Sequence, residues 1–436
     1  MLYILYSILE ILILVLNCYL SEKTFGKKIN LVSIYNFSWL FLSVIAICGF
    51  YGLYRPSYDA LTCIIISTCI FSISSLFLYW KFKRKRITKA DLNIPIVNKS
   101  YTLLSLLIII AIAYELYFAI KMIPFYLAGN WWLARNSYLV TKTSTIYTTQ
   151  QALISQWIMY PMINASTILS AYYIVERKPK KILFFLSTFG QVANVFATGG
   201  RSALFRAVMI YAFAYMAGVS KTNQLKRMIK KAPKWIKGLF LLGVITLIYI
   251  TTQRRVGSNH TTILENILVY FCGPFIYLGI ILKNPRSFAL GSSYLYGRAT
   301  FGFITTPLEI IYSRLARKQY LGADHVVTEY ASQYFSLSDT VRGNAVTTSL
   351  YPFMKDYGIA GIALGPLFFS IIATIPEICK RNTKNNKLFW SCICIYMYFV
   401  AFFSEWEYTL LFPSSFMTMF IIFLATYNHK MKVKSS

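Results

Sequence analysis

Thr198-Gly199-Gly200-Arg201 interrupts an apolar run, FATGGRSALFRAVMIYAFAYM (196–216), that would otherwise suit lipid. Arginine offers a planar fork of donors that matches phosphate. Glycine lets backbone approach a ligand closely and turns the chain between spans. A tight hairpin explains the Gly-Gly pair equally well, and both readings can hold. Further arginines follow the same habit: the tandem Arg254–Arg255, then Arg298, Arg314, Arg317 and Arg342. Such residues pair with nearby acids, contact headgroups, or form a cationic pocket for an anion at the membrane boundary. An arginine inside a span costs roughly 2.5–3.5 kcal/mol on insertion scales, and less at a helix end, where it snorkels.

Groups able to exchange protons are fewer. Asp324 and His325 are adjacent, and His325 and Glu329 share a helix face at four-residue spacing. Histidine titrates near neutrality and suits a general base. Asp356 begins an apolar block, where a carboxylate also balances a helix N-terminus. Glu405 and Glu407 flank Trp406 and can pair with outer arginines; His260 lies near Arg255.

These residues sit in a chain of 436 residues, 57% hydrophobic and 14% charged, with a mean hydropathy of +0.53. Soluble domains carry about 25% charged residues. The apolar residues form separated blocks near bilayer-spanning length. The expected fold is an all-α polytopic integral membrane protein of about 11–13 transmembrane helices, one membrane domain over 1–436. The block at 289–311 is the weakest span, because it holds Arg298 and Glu309. The first block (2–20) lacks a basic start and a cleavage site, so it reads as a retained span.

The net charge of +29 does not indicate nucleic-acid binding. Basic residues cluster at 81–86, 177–181, 221–237, 380–387 and 430–434, between apolar blocks. That is the positive-inside pattern of cytoplasmic loops. It places the N-terminus outside, the C-terminus inside, and two long loops outside, at 121–151 and 312–355. Lys121, Arg135 and Lys142 lie in the first. The eight cysteines suggest neither a disulfide framework nor a metal site, and no Asp-x-Asp sequence occurs. No metal or cofactor is expected.

Two stretches carry a resemblance. ATGGRSALF (197–205) and NAVTTSLYPFMKDYGIAGIALGPLFFS (344–370) resemble motifs of the Wzy-type O-antigen and capsule repeat-unit polymerases. In the second the matching positions are Asn344, Thr347, Thr348, Tyr351, Asp356, Tyr357, Gly358 and Gly361, with Tyr357 where phenylalanine is usual. The resemblance implies a GT-C-like glycosyltransferase of the bacterial inner membrane, active at its periplasmic face. It would move a growing glycan from undecaprenyl diphosphate onto the next lipid-linked repeat unit, alongside a chain-length regulator and a flippase. Arg201, Arg254 and Arg255 would hold the diphosphate, with Arg298 and Arg342 in reserve. Gly199, Gly200, Asn344, Thr347 and Tyr351 would line the substrate. His325, Asp324 and Asp356 are the candidate proton acceptors; an early-departing diphosphate would need no strong base. An O-antigen ligase or a lipid-linked oligosaccharide flippase would use similar residues.

Overall fold

The computed structural model describes residues 1–83, 99–139, 144, 146–176, 180–217, 263–290, 293–318, 322–331, 333–339, 341–344, 347–383 and 386–427. The described chain is almost entirely helical. Its elements are α1 (Leu2–Phe25), α2 (Leu31–Cys48), α3 (Tyr58–Phe82), α4 (Lys99–Leu127), α5 (Trp131–Leu139), α6 (Thr149–Val175), α7 (Lys181–Thr198) and α8 (Ser202–Ala217). After these come α9 (Ile263–Lys283), α10 (Gly302–Leu315), α11 (Ala323–Ala331), a ribbon of β1 (Tyr334–Ser336) and β2 (Arg342–Asn344), α12 (Leu350–Tyr357), α13 (Gly361–Asn382), α14 (Lys387–Phe403) and α15 (Pro413–Thr426).

Seven helices among the described residues are long and apolar enough to cross a membrane, and shorter apolar helices lie at Ser202–Met216, Ile267–Lys283, Lys387–Phe403 and Pro413–Thr426. This is a multi-pass, all-α membrane protein. The apolar stretch 238–252 lies outside the described residues.

Two compact units emerge. Unit one is Met1–Lys81, Met216–Thr374 and Met397–Phe416; unit two is Phe82–Tyr215, Ile375–Tyr396 and Met417–Ser436.

In unit one, α1 turns most of its leucines and isoleucines outward and buries Glu10, Asn17, Ser21 and Phe25. Lipid is as apolar as leucine, so the helix gains little by hiding aliphatic surface, and hydrogen bonds hold it to its neighbours. Asn17 Nδ2 donates to Asn36 Oδ1 (2.8 Å), and Asn36 Nδ2 donates to Ser72 Oγ (2.7 Å). One polar chain therefore ties α1, α2 and α3. The helices α2 and α6 share a device. Each begins with a capping box, at Asn30 and Thr148, runs six residues as α-helix, then loosens into a π turn at Phe37–Phe41 or Ser155–Met159.

The block 289–311 is not a straight span. Among its described residues none before Gly302 is helical, and Ala289, Ser293 and Tyr296 have positive φ. Arg298 and Glu309 explain the break: their bidentate ion pair needs a fold in the chain. The segment expected as a long loop at 312–355 is structured, with α11, the ribbon and α12. Leu337 O accepts from Tyr54 N (2.8 Å), and Tyr54 Oη donates to Asp339 Oδ1 (2.6 Å). The ribbon thus lies on the turn between α2 and α3.

In unit two, α4 packs along α7, with α6 against both. Phe118, Met122, Ala134, Tyr147 and Ala197 form a core joining α4, α5 and α7.

Candidate functional site

Unit two holds the two-glycine hairpin. At the end of α7, Gly199 adopts φ 61° and ψ 14°, the left-handed helix cap that glycine takes without strain. A Cβ on Gly199 would stand 2.8 Å from the backbone nitrogen of Arg135; one on Gly200 would stand 2.8 Å from Arg135 Nη1. The group that the glycines admit is therefore Arg135, carried by α5 from the segment 121–151.

Three side chains from that segment finish the helix. Tyr126 Oη donates to Phe196 O (2.5 Å), Tyr147 Oη to Ala197 O (3.0 Å) and Arg135 Nη1 to Thr198 O (3.3 Å). The last carbonyls of a helix lack intrahelical donors, and a cation there meets the negative end of the dipole. Arg135 and Arg201, both half-buried, flank the same turn, and Arg201 leads into α8. Arg135 stood in the sequence as one outer cation among several; only the fold sets it beside Gly199 and Gly200. Arg254, Arg255 and His260 lie outside the described residues.

Unit one holds the remaining candidates, differently employed. Arg298 binds Glu309 through Nε–Oε1 (2.6 Å) and Nη2–Oε2 (3.0 Å). Asp356 is buried in the last turn of α12, not at the start of a span. Its Oδ1 accepts from Ala299 N (3.0 Å), and its Oδ2 from Thr300 N and Thr300 Oγ1 (both 2.6 Å). The carboxylate pins the turn that precedes α10. Tyr408 Oη donates to Thr300 O (2.7 Å), and burial pushes its phenol well up, with Asp356 adding to the rise. Tyr351 is fully buried and donates to Phe288 O (3.1 Å). Thr347 is buried; Asn344 ends β2.

Asp324 lies in the first turn of α11, and His325 is exposed on that helix. Arg342 is exposed on β2, in register with Ser336. Glu405 departs from expectation. It is 1% exposed, its Oε2 has no hydrogen-bond partner, and no arginine pairs with it among the described residues. Burial pushes its carboxyl well above the usual range. Tyr54, in the exposed turn, is pushed up by its hydrogen bond to Asp339. Among the described residues, no three His, Cys, Asp or Glu side chains gather where a metal ion could bind.

No family model, curated protein or solved structure matches this chain. Unit two offers the Arg135 guanidinium on the carbonyl end of the two-glycine turn, with Arg201 next in the chain after Gly200. Unit one offers buried, internally satisfied anchors and an exposed helix bearing His325.

Proposed function

We propose that this chain is a Wzy-type membrane glycosyltransferase with a GT-C-like architecture. It polymerises undecaprenyl-diphosphate-linked repeat units of O-antigen or capsule at the periplasmic face of the inner membrane. The observation that supports the reading is the two-glycine turn in the stretch that resembles the family motif, against which Arg135 packs and which Arg201 follows in sequence. The lipid of such a donor lies in the bilayer and its diphosphate at the boundary.

Substitution at the anomeric carbon passes through an oxocarbenium-like transition state. The acceptor oxygen bonds to C1, the C1–O bond to diphosphate breaks, and negative charge grows on the leaving group. Preorganised guanidiniums stabilise that charge. Each charge-assisted hydrogen bond contributes about 1.5–3 kcal/mol, so two that tighten together supply two or more decades of rate.

A lipid-linked oligosaccharide flippase is the second reading. Glu10 and Glu115, buried within apolar helices, favour it, because ionisable groups at membrane depth commonly mark transport paths. The glycan profile of a strain lacking the chain separates these. Loss of long chains with single repeat units retained supports the polymerase. Accumulated lipid-linked polymer indicates an O-antigen ligase; single units trapped on the inner leaflet indicate the flippase.

A further inference from the structure

Between α9 and α10 the described backbone is strained at residues that are not glycine. Ala289, Ser293 and Tyr296 have φ of 50°, 52° and 49°. That region is costly for a side chain as bulky as tyrosine. Such a conformation persists only where its surroundings hold it, and here α12 does. Lys355 Nζ donates to Ala289 O (2.6 Å), Leu295 N to Lys355 O (3.0 Å) and Tyr351 Oη to Phe288 O (3.1 Å). Asp356 fixes Ala299 and Thr300 just beyond. Strain held in this way gathers at ligand clamps and active sites.

The strained segment presents two rings. Tyr296 is 82% exposed and Tyr294 39%. Their centroids lie 6.1 Å apart, with the planes at 69°. Tyr294 is seated on Gly358, where a Cβ would stand 3.1 Å from its Oη; a Cβ on Gly297 would stand 3.1 Å from Tyr357 Oη. Two residues after Tyr296, Arg298 holds Glu309, and the two side chains are 41% and 23% exposed. Arg298 N donates to Leu295 O (3.0 Å), which keeps the ion pair in the same turn as the rings. Phe288 lies 5.4 Å from Phe335 of β1, ring to ring. The segment thus starts beside the ribbon and the turn between α2 and α3, on the side the charge pattern assigns to the outside. All of these residues belong to unit one.

Tyrosines at a membrane boundary also anchor headgroups, but anchoring asks for no left-handed backbone. A sugar ring suits this surface better. A pyranose has a face of C–H groups and an edge of hydroxyls. The face of an aromatic ring is negative and attracts the C–H face, and tyrosine is ordered at low entropic cost. A guanidinium and a carboxylate supply donors and acceptors for the hydroxyls. We infer that Tyr294 and Tyr296, with the Arg298–Glu309 pair, form a carbohydrate-binding subsite that takes a sugar ring of the lipid-linked glycan. The inference rests on the glycosyltransferase reading above. The subsite positions the glycan; no bond is made or broken there.

The test uses the full-length protein in lipid nanodiscs. The probe is the repeat-unit oligosaccharide released by mild acid from lipid-linked units of the strain lacking the chain, titrated by ligand-observed NMR. Chain growth on the intact lipid-linked units is measured beside it. Tyr296→Gly is decisive, because glycine takes the left-handed φ without strain. Its melting temperature should hold or rise, while oligosaccharide binding weakens roughly 10-fold and half-maximal growth needs correspondingly more donor. Tyr296→Phe keeps the ring and should bind as the unmodified protein does. Tyr296→Asn, which also tolerates that region, repeats the test if the glycine variant does not insert. Unchanged binding and growth without the ring, or an equal loss in Tyr296→Phe, overturns the subsite while the polymerase reading stands. Oligosaccharide bound through Tyr296 but never extended supports the subsite and overturns the polymerase. Neither binding nor growth by the unmodified protein overturns both.

Discussion

Gly199 shows how one residue can serve geometry and site together. Its left-handed φ and the backbone of Arg135 at 2.8 Å from a would-be Cβ each forbid a side chain. Gly199→Ala should therefore cost more than the roughly 1–2 kcal/mol of the conformation alone. The expected sign is a lowered melting temperature in detergent together with lost chain extension; an unchanged melting temperature would show that α5 does not pack as described. Glu405 makes a different residue-scale prediction. Its folded pKa lies above the ordinary 4.5. Between those two values the folded state holds a proton that the unfolded state has released, so stability is full below the ordinary value and falls as pH rises. Glu405→Gln should flatten that fall in a melting series from pH 4.5 upward. An equally steep fall in the variant would assign it to another group.

At the scale of elements, α1 is held by its polar face. Asn36→Leu removes the acceptor of Asn17 and the donor to Ser72, leaving Asn17 buried and unpaired. The cost should be about 1–3 kcal/mol, read as a loss of thermal stability without loss of insertion; full stability would show that packing alone holds α1. Element identity was legible in the sequence, since uninterrupted apolar blocks can only be helices in a bilayer. The break at 289–311 was legible only as a doubt, because Arg298 and Glu309 signal charge but not that they bind one another eleven residues apart. The helices and ribbon of 312–355 leave little trace in the sequence, because short polar segments carry no strong periodicity. In the sequence Asp356 offers both a proton acceptor and a carboxylate for the N-terminus of its own helix, whereas its hydrogen bonds go to Ala299 and Thr300 in the turn before α10, partners far away in sequence. Arg135 and Glu115 were visible as charges; their neighbours Gly199 and Ser155 come only from tertiary packing.

For the whole molecule, the two units divide the candidate residues between them, with Gly199, Gly200 and Arg201 in unit two and His325, Arg342 and Asp356 in unit one. From the charge pattern α11 is expected outside the membrane. Glu329→Cys, exposed on that helix, should react with an impermeant thiol reagent added to intact spheroplasts in excess of the parent, which carries an exposed Cys48. Labelling only after lysis would reverse the topology. The central claim is that this chain extends lipid-linked glycans, and its most direct test is chain growth in vesicles. Membranes holding the full chain would be mixed with lipid-diphosphate-linked repeat units extracted from the strain that lacks it, and product length read by gel. Growth of long chains with the unmodified protein is expected, with loss of roughly two decades for Arg201→Ala and little recovery for Arg201→Lys, whose ammonium cannot offer the planar fork. No growth with the unmodified protein, or undiminished growth with Arg201→Ala, would contradict the account.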